Sequence, residues 1–226
     1  MHEHTTESKQ PESIMVGALA TNCWLYPLIE AAPEPGIAVH RPCAVIDPGA
    51  EADLIIARIE RLHLYPRYVL LTHGHFDHLA ALPDLIAHYR DVQIAIHQED
   101  AQYLGPDAYR VHRAAFLAVA GSAAYVDALW ESIPAPTTLL TEGDTIGPFQ
   151  VLHLPGHSPG SVGFYDADMK LLFSGDTLFK QGIGRTDLPG GDWNALQKSL
   201  KRLLVLDEDI RVYPGHGSET TIGAER

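Results

Sequence analysis

The sequence predicts an α/β fold built in layers. Two observations point there. As far as Ile96, apolar runs of strand length alternate with segments of helical period. Beyond residue 136 the chain becomes a succession of short β-favouring runs separated by Gly, Pro and Asp turns. With 226 residues, 46% hydrophobic and 20% charged, there is length for one sizeable core, read as a single domain over 14–226 behind a flexible polar segment, 1–13.

The elements follow in order. Residues 16–26 carry enough apolar and β-favouring side chains for a first strand, and 31–42, with Pro33, Pro35, Gly36 and Pro42, form a loop or hairpin connection. Residues 43–46 (Cys-Ala-Val-Ile) are a buried strand that stops at the turn signal Asp47-Pro48-Gly49. Segment 51–64 places Leu54, Ile55, Ile59 and Leu62 at helical spacing, and 67–71 is the next strand. Segment 79–89 is helical and 92–96 is a strand. Residues 99–133 have helical composition broken at Gly105-Pro106 and at Gly121, giving one or two helices that lie between the halves and overhang the end of the sheet. Runs 137–141 and 149–154 flank a turn at Glu142-Gly143-Asp144, and 161–165 and 170–173 make a hairpin around Asp166-Ala167-Asp168. A helix over 193–205, with Asp192 as its N-cap, and a strand over 210–213 complete the chain.

Composition narrows the function. A net charge of −13 with only 16 Lys and Arg speaks against a nucleic-acid partner. Cys23 and Cys43 form no C-x-x-C pair and read as buried free thiols, with one disulfide between neighbouring strands as the alternative. The apolar run 14–20 is too short, and its flank too acidic (Glu3, Glu7, Glu12), for a signal peptide, and no run approaches a membrane span. The expectation is a cytoplasmic protein with no membrane partner.

The most informative stretch is Thr72-His73-Gly74-His75-Phe76-Asp77-His78, at the end of the strand 67–71. In an extended chain His73, His75 and Asp77 point to one side. Three imidazoles and a carboxylate so close together suit more than one metal ion. Three later strand ends add matching residues: His157 in Pro155-Gly156-His157-Ser158-Pro159-Gly160, Asp176 in Ser174-Gly175-Asp176-Thr177, and His216 in Pro214-Gly215-His216-Gly217. Small neighbours at each let backbone come close to an ion. Asp47 is either a carboxylate that orients a metal-bound histidine or a turn residue bonding its own backbone.

With these four motifs the chain resembles the metallo-β-lactamase superfamily from about Val16 onward. The resemblance implies an αβ/βα four-layer sandwich, two mixed sheets flanked by helices, with metals at one edge. It also implies two divalent metal ions, zinc ahead of iron or manganese. His73, His75 and His157 would hold the first, Asp77, His78 and His216 the second, and Asp176 would bridge both. Such a pair activates a water to hydroxide, which Asp77 would orient as the catalytic carboxylate.

Within that superfamily, Gly175-Asp176-Thr177-Leu178-Phe179 and Gly182-Ile183-Gly184-Arg185 resemble the glyoxalase II group, the hydroxyacylglutathione thioesterases. This implies a small-molecule thioester substrate, whose thiol, with a pKa near about 8.5, leaves without a strong general acid. Arg185 would bind a substrate carboxylate, or else brace its loop through a salt bridge to Asp187 or Asp192. Two departures stand out. The group's C-terminal helical domain does not follow His216, so the expectation is a short, single-domain form. Thr186-Asp187-Leu188-Pro189-Gly190-Gly191 stands where the group places aromatic residues near glutathione. Two alternatives from other classes are a mononuclear-iron persulfide dioxygenase using His73, His157 and Asp176, which the segment Gly184-Arg185-Thr186-Asp187 also resembles, and a metal-binding module without catalysis.

Overall fold

A computed structural model describes residues 10–28 and 40–226. The polar start over 1–9 and most of the connection expected over 31–42 lie outside the described residues. Strands β1 (Glu12–Val16), β2 (Thr21–Pro27) and β3 (Arg41–Ile46) lead into helix α1 (Ala52–Arg61) and strand β4 (Leu64–Leu70). Helix α2 (Leu82–His88), strand β5 (Gln93–His97), helices α3 (Ala108–Ala120) and α4 (Ala124–Leu129) and strand β6 (Thr138–Leu140) follow. The second half holds strands β7 (Thr145–Ile146), β8 (Phe149–His153), β9 (Val162–Asp166), β10 (Leu171–Gly175), β11 (Leu178–Phe179) and β12 (Gly182–Ile183). Helix α5 (Trp193–Leu203) and strands β13 (Arg211–Pro214) and β14 (Thr220–Thr221) close it.

Two six-stranded sheets form, in the orders β1-β2-β3-β4-β5-β6 and β14-β13-β10-β9-β8-β7. Both are mixed: β3, β4, β5 and β6 run parallel in the first, and β10 pairs parallel with β13 in the second. Strand alternation builds the layers. Trp24, Tyr26, Ala44, Ile46 and Leu70 face inward, against Phe149, Phe164, Phe173 and Tyr213 of the second sheet. Their neighbours Cys23, Leu25, Cys43, Val45 and Val69 face outward, onto Ile55 and Ile59 of α1 and Leu82 and Leu85 of α2. Leu172 and Val212 pack on the other outer face beneath Leu203 of α5. The result is helix, sheet, sheet, helix: the expected four-layer α/β sandwich. Burying both faces of the central strands is why they read as continuous apolar runs. Each fully buried Leu or Phe contributes roughly 1.5–3 kcal/mol.

The structure corrects the sequence reading in two places. The first strand is a hairpin: Glu12 to Val16 pair antiparallel with Leu25 to Thr21, so Glu12 and Ser13, in the segment expected to be flexible, belong to a strand. Ile14 and Val16 are buried, and Arg58 of α1 pairs with Glu12. The strand before the metal stretch begins at Leu64, three residues earlier than expected. His63, in a left-handed conformation, reverses the chain directly after α1, and Pro66 lies at a register shift against β3, where a missing N–H is tolerated. The runs 137–141 and 149–154 flank the turn at Glu142-Gly143-Asp144, as expected, and belong to different sheets: β6 joins β5 in the first, whereas β8 joins β9 in the second. Cys23 and Cys43 are both free and buried, and burial pushes the Cys43 thiol up to about 12. Register keeps them apart, because Cys43 lies opposite Pro27. Among the described residues no helix is long and apolar enough to cross a membrane.

Candidate metal centre

The candidate ligands all leave the C-terminal ends of strands. His73, His75, Asp77 and His78 follow β4, His157 follows β8, Asp176 follows β10 and His216 follows β13. The structure brings all seven together in two groups. Donor atoms of His73, His75 and His157 lie within 4.8 Å of one another, and so do those of Asp77, His78 and His216. Asp176 touches both groups: its Oδ2 is 3.5 Å from His157 Nε2 and 3.5 Å from His216 Nε2, and its Oδ1 is 3.6 Å from His78 Nε2.

Four imidazoles are oriented by what their Nδ1 atoms meet. Thr72 Oγ1 donates to Asp47 Oδ2 (2.6 Å), so it is the acceptor for His73 Nδ1 (3.1 Å). His78 Nδ1 donates to the same Asp47 Oδ2 (3.0 Å), His157 Nδ1 to the Arg185 carbonyl (2.8 Å), and His216 Nδ1 to the Ala20 carbonyl (3.4 Å). Each arrangement leaves Nε2 as the inward lone pair, the form a metal requires. Asp47 also accepts Thr72 N–H (2.8 Å), which settles its role. It bonds residues 25 and 31 positions away and orients His73 and His78; it is not a turn residue closed on itself.

The electrostatics demand cations. Burial and neighbouring imidazoles hold His73 well below its ordinary pKa, and burial holds His75 down at about 3, so both are neutral. Burial also acts to lower His78, but the Asp77, Asp176 and Asp47 carboxylates outweigh it and lift that imidazole to about 10. Burial would raise Asp77, yet His78, His216 and His75 bring its carboxyl below the usual range. A positive charge is therefore favoured between His78 and its carboxylates, as a proton or as a metal that displaces it. The buried His73 Nε2, His157 Nε2 and Asp176 Oδ1 have no hydrogen-bond partner, an arrangement costly to bury unless another group takes those lone pairs. At Gly215 an added Cβ would fall 2.3 Å from Asp176 Oδ1 and 2.7 Å from His78 Cε1, so only glycine lets backbone pass here. Nitrogen and carboxylate donors, orphaned lone pairs and this close backbone all fit a pair of metal ions.

Several positioning residues escaped the sequence reading. Asn22 donates to the carbonyls of Pro214 (3.1 Å) and Gly217 (2.8 Å), and Trp24 Nε1 to Pro214 (3.0 Å), which clamps the loop carrying His216. Thr21 Oγ1 donates to Asp77 Oδ2 (3.1 Å). Asp100 is buried, with burial raising its pKa, and accepts Gly74 N–H (2.9 Å), Gly160 N–H (2.7 Å) and Ser158 Oγ–H (2.7 Å). It thereby ties the His73–His75 loop to the His157 loop. The legible signal was a polar side chain within or just after an apolar strand, where burial obliges it to find partners.

Arg185 stands apart from the two groups. Its side chain is exposed and makes a two-pronged pair with Asp187 (2.7 and 2.6 Å), while Asp192 caps α5 through Ala195 N–H (3.0 Å). Of its two alternatives, the salt bridge to Asp187 is the one formed. A further cluster, His97, Glu99 and His153, has its two rings stacked at 4.0 Å and 16°. Parallel rings send their in-plane lone pairs past one another, so those imidazoles do not converge on one ion. A cavity of about 280 Å³ adjoins His75 and Asp77, and α3 forms one wall, as the expected overhang required.

Comparison with known proteins agrees with this geometry. A family model described as the metallo-beta-lactamase superfamily matches residues 37–216. Hydroxyacylglutathione hydrolase GloC of Haemophilus influenzae is 40% identical over 188 residues, covering 83% of this chain and 85% of that protein. The probable metallo-hydrolase YqgX of Bacillus subtilis is 40% identical over 190 residues, covering 81% and 84%. The crystal structure of TTHA1623 in a di-iron-bound form superposes with a TM-score of 0.78 at 38% identity, covering 95% of this chain and 96% of that one.

Proposed function

The chain belongs to the metallo-beta-lactamase superfamily, and from that premise we propose that it is a dinuclear-metal hydrolase that cleaves small thioesters in the manner of the glyoxalase II group. One observation carries the reading: two three-donor groups lie side by side with Asp176 in reach of both. His73, His75 and His157 would hold one ion, Asp77, His78 and His216 the other, and Asp176 would be shared. Imidazole and carboxylate donors suit zinc and iron alike. The 40% identity to a hydroxyacylglutathione hydrolase supports the thioester reading, and a relative with two irons supports the two-ion count.

Bound there, such a pair supplies a water whose pKa falls from about 15.7 toward about 7 and a Lewis acid for a carbonyl oxygen. The protein does the positioning. The Thr21 hydroxyl and the imidazoles of His78 and His216 face Asp77 Oδ2, which leaves Oδ1 to accept a hydrogen bond from a water and orient it. Because its pKa is depressed, Asp77 stays ionised at neutral pH and can hold a water by accepting its hydrogen bond, the orienting role. Asp47 and Thr72 hold His73 and His78 in one tautomer, and the Arg185 carbonyl does the same for His157. The departing thiolate is stable enough near neutrality to need no acid as strong as an amine would.

Elemental analysis of the purified protein, paired with turnover of S-lactoylglutathione and simpler thioesters, tests this. We expect two metal ions per chain and thioester cleavage. His75→Ala should lose about one ion and lower kcat/KM by about 100-fold or more, the scale of a lost catalytic group. A single iron with oxygen uptake on a persulfide, or full metal occupancy without thioester turnover, would overturn the reading.

A further inference from the structure

The cavity beside the metal centre has walls of one chemical kind. Helix α3 lends it Ala115, Phe116 and Val119, which share a face by helical spacing. Phe76, between the candidate ligands His75 and Asp77, forms part of the floor and is 1% exposed, braced from behind by a stacked Trp130 at 6.1 Å and 16°. Tyr103 completes the apolar wall. His112 adds no charge: its Nε2 donates to the Tyr103 carbonyl (2.9 Å), and its burial keeps the ring neutral.

Among the described residues only two charged groups reach this space. Asp77 stands at the metal end, among the candidate ligands. Arg185 stands at the rim with its guanidinium already engaged by Asp187 through two nitrogens. No wall is therefore prepared for a carboxylate, a phosphate or a peptide backbone. Thiol carriers in biological thioesters bear charges or amides, so of a thioester's two halves only the acyl half can be apolar throughout.

We propose that this cavity is an acyl pocket, and that the preferred substrates are thioesters of apolar, medium-length acyl groups rather than of short hydroxyacyl groups. The inference rests on the thioesterase reading and specifies its substrate class. The volume of about 280 Å³ corresponds, at about 30 Å³ per liquid water, to roughly nine waters that such a chain would displace. Each methylene buried should raise kcat/KM by about fourfold until the space is full.

The test uses the metal-loaded protein with one thiol, N-acetylcysteamine, carrying acetyl, butyryl, hexanoyl and octanoyl groups, and with S-lactoylglutathione beside them. A rise in kcat/KM from acetyl to hexanoyl of at least about 30-fold supports the pocket. Ala115→Phe, which fills it from α3, should flatten that rise, and so should Val119→Trp from the half-exposed rim if the first variant folds poorly. A flat series, or a preference for the lactoyl thioester while cleavage persists, overturns the acyl pocket and leaves the thioesterase standing. If no thioester is cleaved, the proposed function falls, and binding decides the pocket by itself. The hexanoyl analogue with methylene in place of sulfur should bind the metal-free protein at least about tenfold more tightly than its acetyl counterpart, with a negative heat-capacity change. Equal affinities would sink the inference.

Discussion

His78 and His112 are almost equally inaccessible, at 0% and 1% exposure, yet their surroundings push them opposite ways. Three carboxylates around His78 overcome its desolvation, whereas His112 meets mainly a backbone carbonyl and rings, and burial takes it down to about 4. An unfolded chain protonates that second histidine near 6.5. Between about 6.5 and about 4 the unfolded state therefore binds the extra proton, and stability falls as pH falls, by up to about 3 kcal/mol from this residue. Above about 6.5 the contribution is fully present. His112→Gln, which keeps a donor for the Tyr103 carbonyl, should remove that slope; urea midpoints from pH 7 to 4.5 for both proteins measure it. At this scale the seven candidate ligands were legible because each stands beside glycine or another ligand at a strand end. Asp47 was legible only as one of two alternatives and Asp100 not at all, because their partners lie 25 or more positions away and only the folded chain reveals them.

At the scale of elements, the centre consists of loops held at fixed spacing by a few buried polar bonds. Asp100, directly after β5, carries the junction between the loops after β4 and β8. Removing its carboxylate strands two backbone N–H groups and a hydroxyl, at about 1–3 kcal/mol for each buried group left unpaired. Asp100→Ala should therefore lower the unfolding free energy by about 3 kcal/mol or more in urea and weaken metal retention against a chelator. A loss below about 1 kcal/mol would mean that the loops need no such tie. Periodicity identified the buried strands and α5 well, since strand alternation and helical spacing are local properties. It could not separate β1 from β2: Gly17 to Ala20 carry no strong turn letters, although Gly17 and Ala20 both adopt positive φ. Nor could it assign β6 and β8 to different sheets. The Glu142-Gly143-Asp144 turn looks the same whether the chain folds back on itself or crosses between layers.

On the scale of the whole molecule, the two sheets meet through an aromatic interior and a few buried polar bonds, among them Tyr26 O–H to Asp166 Oδ2 at 2.9 Å and Trp24 Nε1–H to the Pro214 carbonyl at 3.0 Å. The two-ion centre would add a further attachment at their edge. A ligand held only by the folded state stabilises it by roughly 4 kcal/mol at 1,000 times its Kd. Stripping metal with a chelator should accordingly lower Tm by about 10 °C, and zinc or iron should restore it. A Tm indifferent to both would argue against occupied sites.

Residues of the first sheet's loops supply His73, His75, Asp77 and His78, and those of the second supply His157, Asp176 and His216. Neither half alone would hold a complete set for either ion: the first brings the His73–His75 pair to one group and the Asp77–His78 pair to the other. Metal uptake at such a centre would thus serve as a clock for assembly: tight capture would await the moment when both slabs are seated face to face, and a chain stalled with one slab formed would hold ions only loosely.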